Sequence, residues 1–297
     1  MWKLRRLRNR RLLRPTRTMN NSHTHGGADN RLPLVAGIVN ATGDSFSEGR
    51  ASAPESAPAR ALRLLADGAD WLDVGGESTR PGSDEIFPPE ETRRLLPLID
   101  TVMGSHPDVV ISVDTRHAET ARRCLEHGAR VINDVSMLRH DPGIAAAAAE
   151  HDAMLIICHS RGTPADMQSG AYFDYGRDVA ETVVEELAGA AEFAVRAGVA
   201  RDMLWFDPGF GFAKTVEQNF ELARNIGKVR KLGKLFVGVS RKSFIGKVSG
   251  VESPAERLPG TLAMELFFVG RAEVLRTHDV AALRQALAVH RFLMCGN

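Results

Sequence analysis

Polar side chains follow apolar stretches at many points along the chain. The clearest case is 235–239, Leu-Phe-Val-Gly-Val, which is followed at once by Ser240, Arg241, Lys242 and Ser243. A short apolar run of this kind predicts a buried strand, so the polar residues at its end are placed to do chemistry. The side chains that stand in or just after such ends are Asn40, Thr79, Arg80, Asp114, Asn133, His159, Asp207, Lys242, Arg276 and His278.

Charge divides most of these side chains into two groups. The first is cationic and suits a phosphate or pyrophosphate beside the glycine-rich backbone of 75–82; it comprises Arg80, Arg276 and His278. The second suits the N–H edge and carbonyl of a flat heterocycle; it comprises Asp114, Asn133, Asp207 and Lys242. The sequence therefore predicts a pyrophosphorylated heterocycle as ligand. No catalytic triad is predicted, because Ser240 has no obvious base and His159 no carboxylate at a suitable spacing.

The elements that position these groups alternate between strand and helix. Strands are predicted at 34–39, 71–74, 109–113, 130–132, 153–158, 203–206, 235–239 and 273–275. Helices are predicted at 54–68, 89–103, 118–127, from 141, 176–197, 215–226 with Thr215 as its cap, 255–269, and at the end of the chain to 293.

This alternation predicts an α/β fold, the (β/α)8 TIM barrel, over about 265 residues. An open doubly wound sheet would need a glycine-rich dinucleotide turn after its first strand, and 40–44, Asn-Ala-Thr-Gly-Asp, does not have that pattern. In a barrel the carboxyl ends of all strands meet, so groups that are distant in sequence share one site.

Composition excludes several other classes of protein. The 297 residues are 43% hydrophobic and 25% charged, which is typical of a globular chain with one large core. No run approaches the roughly 18 apolar residues that a membrane span needs. The three cysteines are far apart and lack metal-ligand spacing, so neither a disulfide framework nor a zinc site is expected.

The first residues differ in charge from the rest of the chain. Residues 1–17 hold eight Lys or Arg and no acidic residue, whereas the remainder has 30 basic against 37 acidic residues. We expect 1–31 to be a basic, flexible extension and 32–297 to be the barrel. A targeting segment, a nucleic-acid tail and sequence upstream of a true start near Met19 are the other interpretations of the extension. The acidic body argues against a nucleic-acid-binding domain.

Seven segments of the chain resemble the motifs of dihydropteroate synthase, in order and spacing, over roughly 34 to 290. They are 37–47 (GIVNATGDSFS), 73–82 (DVGGESTRPG), 111–115 (ISVDT), 132–134 (IND), 207–212 (DPGFGF), 239–243 (VSRKS) and 276–279 (RTHD). Several motifs of this length in one chain are far more specific than a lone glycine pattern.

The resemblance implies condensation of 6-hydroxymethyl-7,8-dihydropterin pyrophosphate with p-aminobenzoate, with Mg²⁺, to give dihydropteroate and pyrophosphate in folate synthesis. It implies that the pterin is held by Asp114, Asn133, Asp207, Phe212 and Lys242. It implies further that pyrophosphate is held by Thr79, Arg80, Arg276 and His278, p-aminobenzoate by Phe46, Pro81 and Ser240, and the metal by Asn40. Arg276, Lys242 and Asp114 are the expected catalytic residues.

The chain departs from the pattern of the family at three positions. Gly43 replaces the usual Pro in the first loop, which loosens a segment expected to order over the site. Ser160 stands where Met is usual, and Ala213 replaces a common Gly before Lys214. None of the three is a residue assigned to pterin or pyrophosphate.

Two other functions also fit part of this pattern. A pterin-dependent methyltransferase shares the fold but does not need the anion-binding residues of 240–243 and 276–279, and a non-catalytic pterin-binding paralogue is the second alternative. The resemblance implies a homodimer, formed through late helices such as 262–269, although that apolar stripe also suits the core of a barrel. A cytoplasmic location is expected.

Overall fold

Eight parallel strands close into a barrel in which every strand pairs with its neighbours in sequence, and β1 pairs with β8. The computed structural model describes residues 32–41, 55–77, 86–163, 165–176 and 178–295. The strands are β1 (Leu34–Asn40), β2 (Trp71–Gly75), β3 (Val110–Asp114), β4 (Val131–Asp134), β5 (Met154–Cys158), β6 (Leu204–Asp207), β7 (Lys234–Gly238) and β8 (Val274–Thr277). The predicted (β/α)8 barrel is confirmed. The predicted extension, 1–31, lies outside the described residues.

Helices cover the outside of the barrel. They are α1 (Ala57–Ala66), α2 (Pro88–Ser105), α3 (Ala118–Glu126), α4 (Gly143–Glu150), α5 (Val179–Arg196), α6 (Val216–Arg224), α7 (Ile226–Arg230), α8 (Ser243–Ser249), α9 (Leu258–Phe267) and α10 (Val280–Cys295). No helix in the described part of the chain is long and apolar enough to cross a membrane.

Local sequence explains where these helices begin and end. The Thr215 hydroxyl accepts a hydrogen bond from the Gln218 backbone N–H, and the Gln218 side chain accepts one from the Thr215 N–H, so α6 begins with a capping box. Two short helices, α7 and α8, were not predicted, because five and seven residues are too few to show a helical period. α8 ends at Gly250, which is left-handed with φ 72°.

The lower interior of the barrel is filled by aromatic side chains. Trp71 of β2 lies against Trp205 of β6, with ring centroids 5.5 Å apart, and its ring is 6.4 Å from that of Phe236 of β7. All three side chains are almost fully buried. We call these three residues the aromatic floor. It separates the amino end of the barrel from the polar groups at the carboxyl end. Those groups therefore lie above an apolar surface.

The turn after β6 requires a glycine. Gly209 has φ 70°, and a Cβ atom at this position would lie 1.8 Å from the backbone oxygen of His159. Its N–H donates to Asp207 Oδ1 at 2.8 Å, so this carboxylate also fixes the turn that follows it. The backbone of the loop between β6 and α6 therefore lies directly against the end of β5.

We predict that Gly209→Ala lowers the free energy of unfolding by about 2 kcal/mol more than Gly250→Ala does, because only the first adds an overpacking clash. Gly250 has nearly the same φ, 72°, but no atom lies within 4 Å of a Cβ built there. The control should therefore lose only the roughly 1 kcal/mol of a left-handed alanine. Urea denaturation of both variants checks this, and equal losses would contradict the close approach to His159.

Candidate active site

The carboxyl ends of the strands bring the predicted side chains to one opening of the barrel, which we call the mouth. The strand registers place Asn40, Gly75, Asp114 and Asn133 side by side on β1 to β4. Asp207 ends β6 beside Cys158, and Gly238 of β7 lies beside Arg276 of β8. Neighbouring residues in register point to the same side of a sheet. Groups separated by more than 150 residues therefore face one another.

Arg276 lies between two carboxylates in the centre of the mouth. Its Nε donates to Asp73 Oδ2 at 2.5 Å, and one terminal nitrogen donates to Asp114 Oδ2 at 2.8 Å. Asp73 is fully buried, and the Arg276 side chain is 20% exposed. Burial alone would lower the pKa of Arg276, but Asp73, Asp114 and Asp207 together raise it. The guanidinium is thus a permanent cation held by two strands.

The carboxylates in this arrangement outnumber the cation. Burial raises the pKa of Asp114 to about 7, although Arg276 opposes the shift, and Asp73, Glu91 and Asp134 raise it further. A buried carboxyl that keeps its charge near neutral pH does so at a cost in stability. Asp114 can therefore change its protonation state close to neutral pH.

Two buried acceptor atoms in the mouth lack a hydrogen bond within the described part of the chain. They are Asp114 Oδ1 and Asn133 Oδ1. The Asn133 amide nitrogen faces the Asp73 carboxylate at 3.4 and 3.5 Å, which turns the amide oxygen away from Asp73. Buried acceptors without partners cost free energy unless a ligand or water donates to them. Two such atoms on adjacent strands are suited to a ligand edge that carries N–H donors.

Lys242 and Asp207 form the opposite side of the mouth. Lys242 Nζ donates to the backbone oxygen of Phe210 and lies 4.3 Å from the centroid of the Phe212 ring. Burial lowers the pKa of Lys242, while Asp207 opposes this shift; burial raises the pKa of Asp207, and Lys242 opposes that shift. The two groups therefore interact as a partly compensated pair, with an aromatic face beside the cation.

Residue 238 of β7, a glycine, places no side chain between Arg276 and Asp207. A Cβ atom at this position would lie 3.4 Å from the Arg276 Cδ and 3.8 Å from Asp207 Oδ2. The two predicted groups, one for an anion and one for a heterocycle, are therefore not separate clusters. The structure joins them, since Arg276 contacts Asp114 directly and lies near Asp207.

Ser240 and His278 lie together after β7 and β8. Ser240 Oγ is 2.9 Å from His278 Nδ1 and accepts a hydrogen bond from the His278 backbone N–H at 3.2 Å. The expectation that Ser240 has no base near it is therefore wrong: residues 38 positions apart meet because β7 and β8 are adjacent. Arg241, with φ 59°, forms a bidentate ion pair with Asp279, which joins the two loops.

The loops that carry other predicted residues lie outside the described part of the chain. These residues are Phe46, Thr79, Arg80 and Pro81. Asn40, the predicted metal ligand, is exposed at the end of β1.

Sequence reasoning missed two parts of the site. Asp73 received no role, although a carboxylate inside the buried strand Trp-Leu-Asp-Val-Gly was a visible signal. His159 was said to lack a carboxylate partner, and this is wrong: its Nε2 lies 3.1 Å from Glu186 Oε2. Glu186 lies on α5, 27 residues away, so sequence spacing could not reveal the contact.

The described part of the mouth offers few protein ligands for a divalent cation. Among the described residues, no three His, Cys, Asp or Glu side chains gather closely enough to hold a metal. Mg²⁺, however, is commonly bound by one or two protein oxygens together with phosphate oxygens and water. A single exposed amide oxygen on Asn40, in register with Gly75 at the mouth, fits this mode and does not fit a site made of protein ligands alone.

Comparison with known families agrees with this geometry. The pterin binding enzyme family matches residues 36–278. The chain therefore belongs to the family of pterin-binding enzymes.

Its relatives narrow the class to dihydropteroate synthases. The dihydropteroate synthase of Synechocystis sp. is 40% identical over 258 residues, which are 86% of this chain and 88% of that protein. The Xanthomonas albilineans dihydropteroate synthase solved with 4-aminobenzoic acid has a TM-score of 0.80 and 37% identity, over 90% of this chain and 94% of its own. The same enzyme in complex with 7,8-dihydropteroate has a TM-score of 0.77 and 34% identity, over 91% and 96%. The resemblance found in the sequence is confirmed.

We predict that Asp114→Asn gains stability relative to the parent as the pH rises. The folded-state pKa of Asp114, about 7, lies above the ordinary value near 4. Its contribution to stability is therefore fully present below about pH 4 and is lost as the pH rises through about 7. The difference in unfolding free energy, variant minus parent, should increase by about 2 kcal/mol between pH 5 and pH 8.

Urea denaturation at the two pH values measures this difference. Glu252→Gln, which removes an exposed carboxyl in the segment after α8, is the control. A difference for Asp114→Asn that does not change with pH would contradict the raised pKa.

Proposed function

We propose that this chain is a dihydropteroate synthase, which condenses 6-hydroxymethyl-7,8-dihydropterin pyrophosphate with p-aminobenzoate to give 7,8-dihydropteroate and pyrophosphate. The observation that carries the proposal is the pair of buried, unpartnered acceptors, Asp114 Oδ1 and Asn133 Oδ1, beside the paired cation Arg276. A pterin ring edge presents N–H donors to such acceptors, and its pyrophosphate requires a cation within reach.

The pterin lies between the two sides of the mouth in this proposal. Asp114 and Asn133 accept hydrogen bonds from one ring edge, and Asp207 accepts from another part of the ring. Lys242 donates to the ring carbonyl, and Phe212 contacts the ring beside it. Support comes from the burial of Asp114, Asn133 and Asp207, since hydrogen bonds to charged groups in a desolvated site are strong and selective.

The pyrophosphate lies toward Arg276 and His278, with Thr79 and Arg80 completing its binding site from the second loop. Asp73 and Asp114 hold the Arg276 guanidinium in a fixed orientation before the substrate arrives. Such preorganisation lets the cation stabilise the leaving group without reorganising during the reaction. p-Aminobenzoate lies near Ser240, and Phe46 and Pro81 are its other proposed contacts.

Catalysis makes modest chemical demands on these residues. The bond between the exocyclic methylene carbon and the pyrophosphate oxygen breaks, and the electron-rich dihydropterin stabilises the cation that remains. The amine of p-aminobenzoate attacks that carbon and then releases a proton. Arg276 and His278 stabilise the departing charge, and Asp114 and Lys242 hold the ring. Asn40 would hold Mg²⁺, which would supply positive charge toward the same leaving group.

We also propose that the enzyme acts in the cytoplasm as a homodimer. The described part of α10 exposes several large apolar side chains: Val289, Phe292, Leu293 and Met294. A cluster of this kind supports a contact with a second copy. The stripe 262–269, expected from the sequence to form the contact, packs on the barrel core through Leu262, Met264, Leu266, Phe267 and Val269, which stay partly exposed.

We predict that purified protein releases one pyrophosphate for each dihydropteroate formed. The assay supplies the pterin pyrophosphate and p-aminobenzoate with Mg²⁺, and measures both products. A methyltransferase or a non-catalytic pterin-binding protein would bind the pterin without this stoichiometric release. Binding of the pterin without release of pyrophosphate would therefore overturn the proposal.

We predict that Arg276→Ala lowers kcat/KM by a factor that corresponds to about 2 to 4 kcal/mol of transition-state stabilisation. This is the cost of losing one preorganised charge donor. Alanine also leaves two carboxylates without their cation, which destabilises the fold. Arg276→Lys retains the charge, loses the fork geometry, and should show a smaller loss of kcat/KM in a folded protein. Arg230→Ala, which removes the ion pair with Glu273 at the start of β8, is the matched control with unchanged activity. Parent-like turnover of both Arg276 variants would show that Arg276 does not assist the leaving group.

A further inference from the structure

Lys214 is a buried lysine whose ammonium group contacts three acceptors. Its Nζ lies 3.0 Å from His159 Nδ1 and donates to the backbone oxygens of Gly209 and Phe212 at 2.9 and 3.2 Å. The residue is only 4% exposed. A protonated lysine has three N–H donors, so all three are used. A neutral amine would have one donor fewer and would turn its lone pair toward an acceptor.

His159 is fixed in the form that this arrangement needs. Burial, and then the charge of Lys214, lower the pKa of His159 to about 3, so the ring is neutral near pH 7. With Nδ1 accepting from Lys214, the ring proton lies on Nε2, which faces Glu186 Oε2 at 3.1 Å. Burial would raise the pKa of Glu186, but His159 and Arg161 lower it to about 2. The carboxylate therefore stays charged and lies close to the ring, although Nε2 is not aligned for a hydrogen bond with it.

The loop segment that Lys214 holds by two carbonyl groups also carries both contacts of Lys242. Gly209 and Phe212 are the two points of attachment. Between them, Phe210 offers its backbone oxygen to Lys242 Nζ, and the Phe212 ring itself lies 4.3 Å from that atom. Displacement of this loop would therefore move both contacts of Lys242 at once.

Other contacts hold the same loop at a different point. Gly211 N–H donates to Asn219 Oδ1 at 2.7 Å, and the Gln168 side chain donates to the Gly211 oxygen at 3.1 Å. Asn219 is fully buried and also donates to the backbone oxygens of Lys214 and Thr215. Loss of the Lys214 ammonium would leave these contacts in place, so the loop would keep its path while Gly209 and Phe212 lose a restraint.

Burial of an amine here has a cost that packing alone does not explain. Burial lowers the pKa of Lys214 to about 7; Cys158 and Asp207 oppose this shift, and Lys242 and Arg161 add to it. An apolar side chain of similar length would fill the space without the desolvation penalty. An amine with three hydrogen-bond contacts at this position therefore indicates a requirement of the site.

We propose that Lys214 is a positioning residue for the pterin site, which fixes Gly209 and Phe212 so that Lys242 and the Phe212 ring face the ligand correctly. This inference rests on the proposed function, because it names the pterin as the ligand. Lys214 acts through the loop and does not touch the reacting atoms.

The test compares Lys214→Met with the parent and with Lys228→Met. Lys228 is a lysine on α7 that pairs with Asp178 and Glu181 away from the mouth, so it controls for the loss of a lysine. We expect Lys214→Met to raise the KM for the pterin pyrophosphate about 10- to 100-fold, the cost of misplaced hydrogen bonds to a charged group. kcat and the KM for p-aminobenzoate should change less than about threefold, and Lys228→Met should match the parent.

A structural role alone would give a different pattern. The melting temperature and kcat would both fall, and both KM values would rise. That pattern, or an unchanged pterin KM, would overturn the proposal. If Lys214→Met does not fold, Lys214→Gln replaces it, because glutamine keeps two N–H donors and removes the charge. A pterin KM raised in this variant with kcat retained supports the proposal, and a parent-like KM overturns it.

Direct binding separates this inference from the proposed function. Calorimetry with 7,8-dihydropteroate measures affinity without turnover. If the parent makes no dihydropteroate but binds it, the proposed function is wrong, and weaker binding by Lys214→Met still supports the role of Lys214. Equal affinities would overturn that role, and a parent that neither reacts nor binds would overturn both.

Discussion

The ion-pair arrangement of Arg276 with Asp73 and Asp114 is the interaction on which the mouth depends. Three strands, β2, β3 and β8, meet through this one guanidinium, which keeps two buried carboxylates from repelling each other. The arrangement has two carboxylates for one guanidinium. Burial, and then the neighbouring carboxylates, raise the pKa of Asp114 to about 7, although Arg276 opposes the shift. Excess carboxylates and acceptor atoms without partners are held together at this site only because the barrel around them is rigid.

The aromatic floor makes these charges effective. Trp71, Trp205 and Phe236 fill the barrel below the mouth with apolar surface, so the polar groups above are shielded from solvent on that side. Interactions between charges are stronger where water is excluded. The same residues that close the barrel core therefore strengthen the binding of a polar ligand, which links packing at one end to chemistry at the other.

Much of the fold and part of the site follow from sequence, because a strand that ends in polar residues is a local signal. The barrel, the strand positions and the convergence of Asp114, Asn133, Asp207, Lys242 and Arg276 were all predictable in this way. Contacts between distant side chains were not, as Ser240 with His278 and His159 with Glu186 illustrate. Ala213 has φ 46°, which gives a physical reason why glycine is common there. The departure at Ser160 has no such explanation, although its backbone oxygen accepts a hydrogen bond from Arg139.

The absence of a side chain at Gly238 bears on how such a barrel could change its ligand during evolution. Arg276, Asp73 and Asp114 face the opening and also support one another, so substitutions there would disturb the scaffold together with recognition. Gly238 contributes no side chain and has no partner of that kind to lose. Enlarging this residue would place a side chain against Arg276 and Asp207, and would leave the surrounding charges intact. The missing side chain is thus a feature through which the opening could narrow without the loss of a charged group.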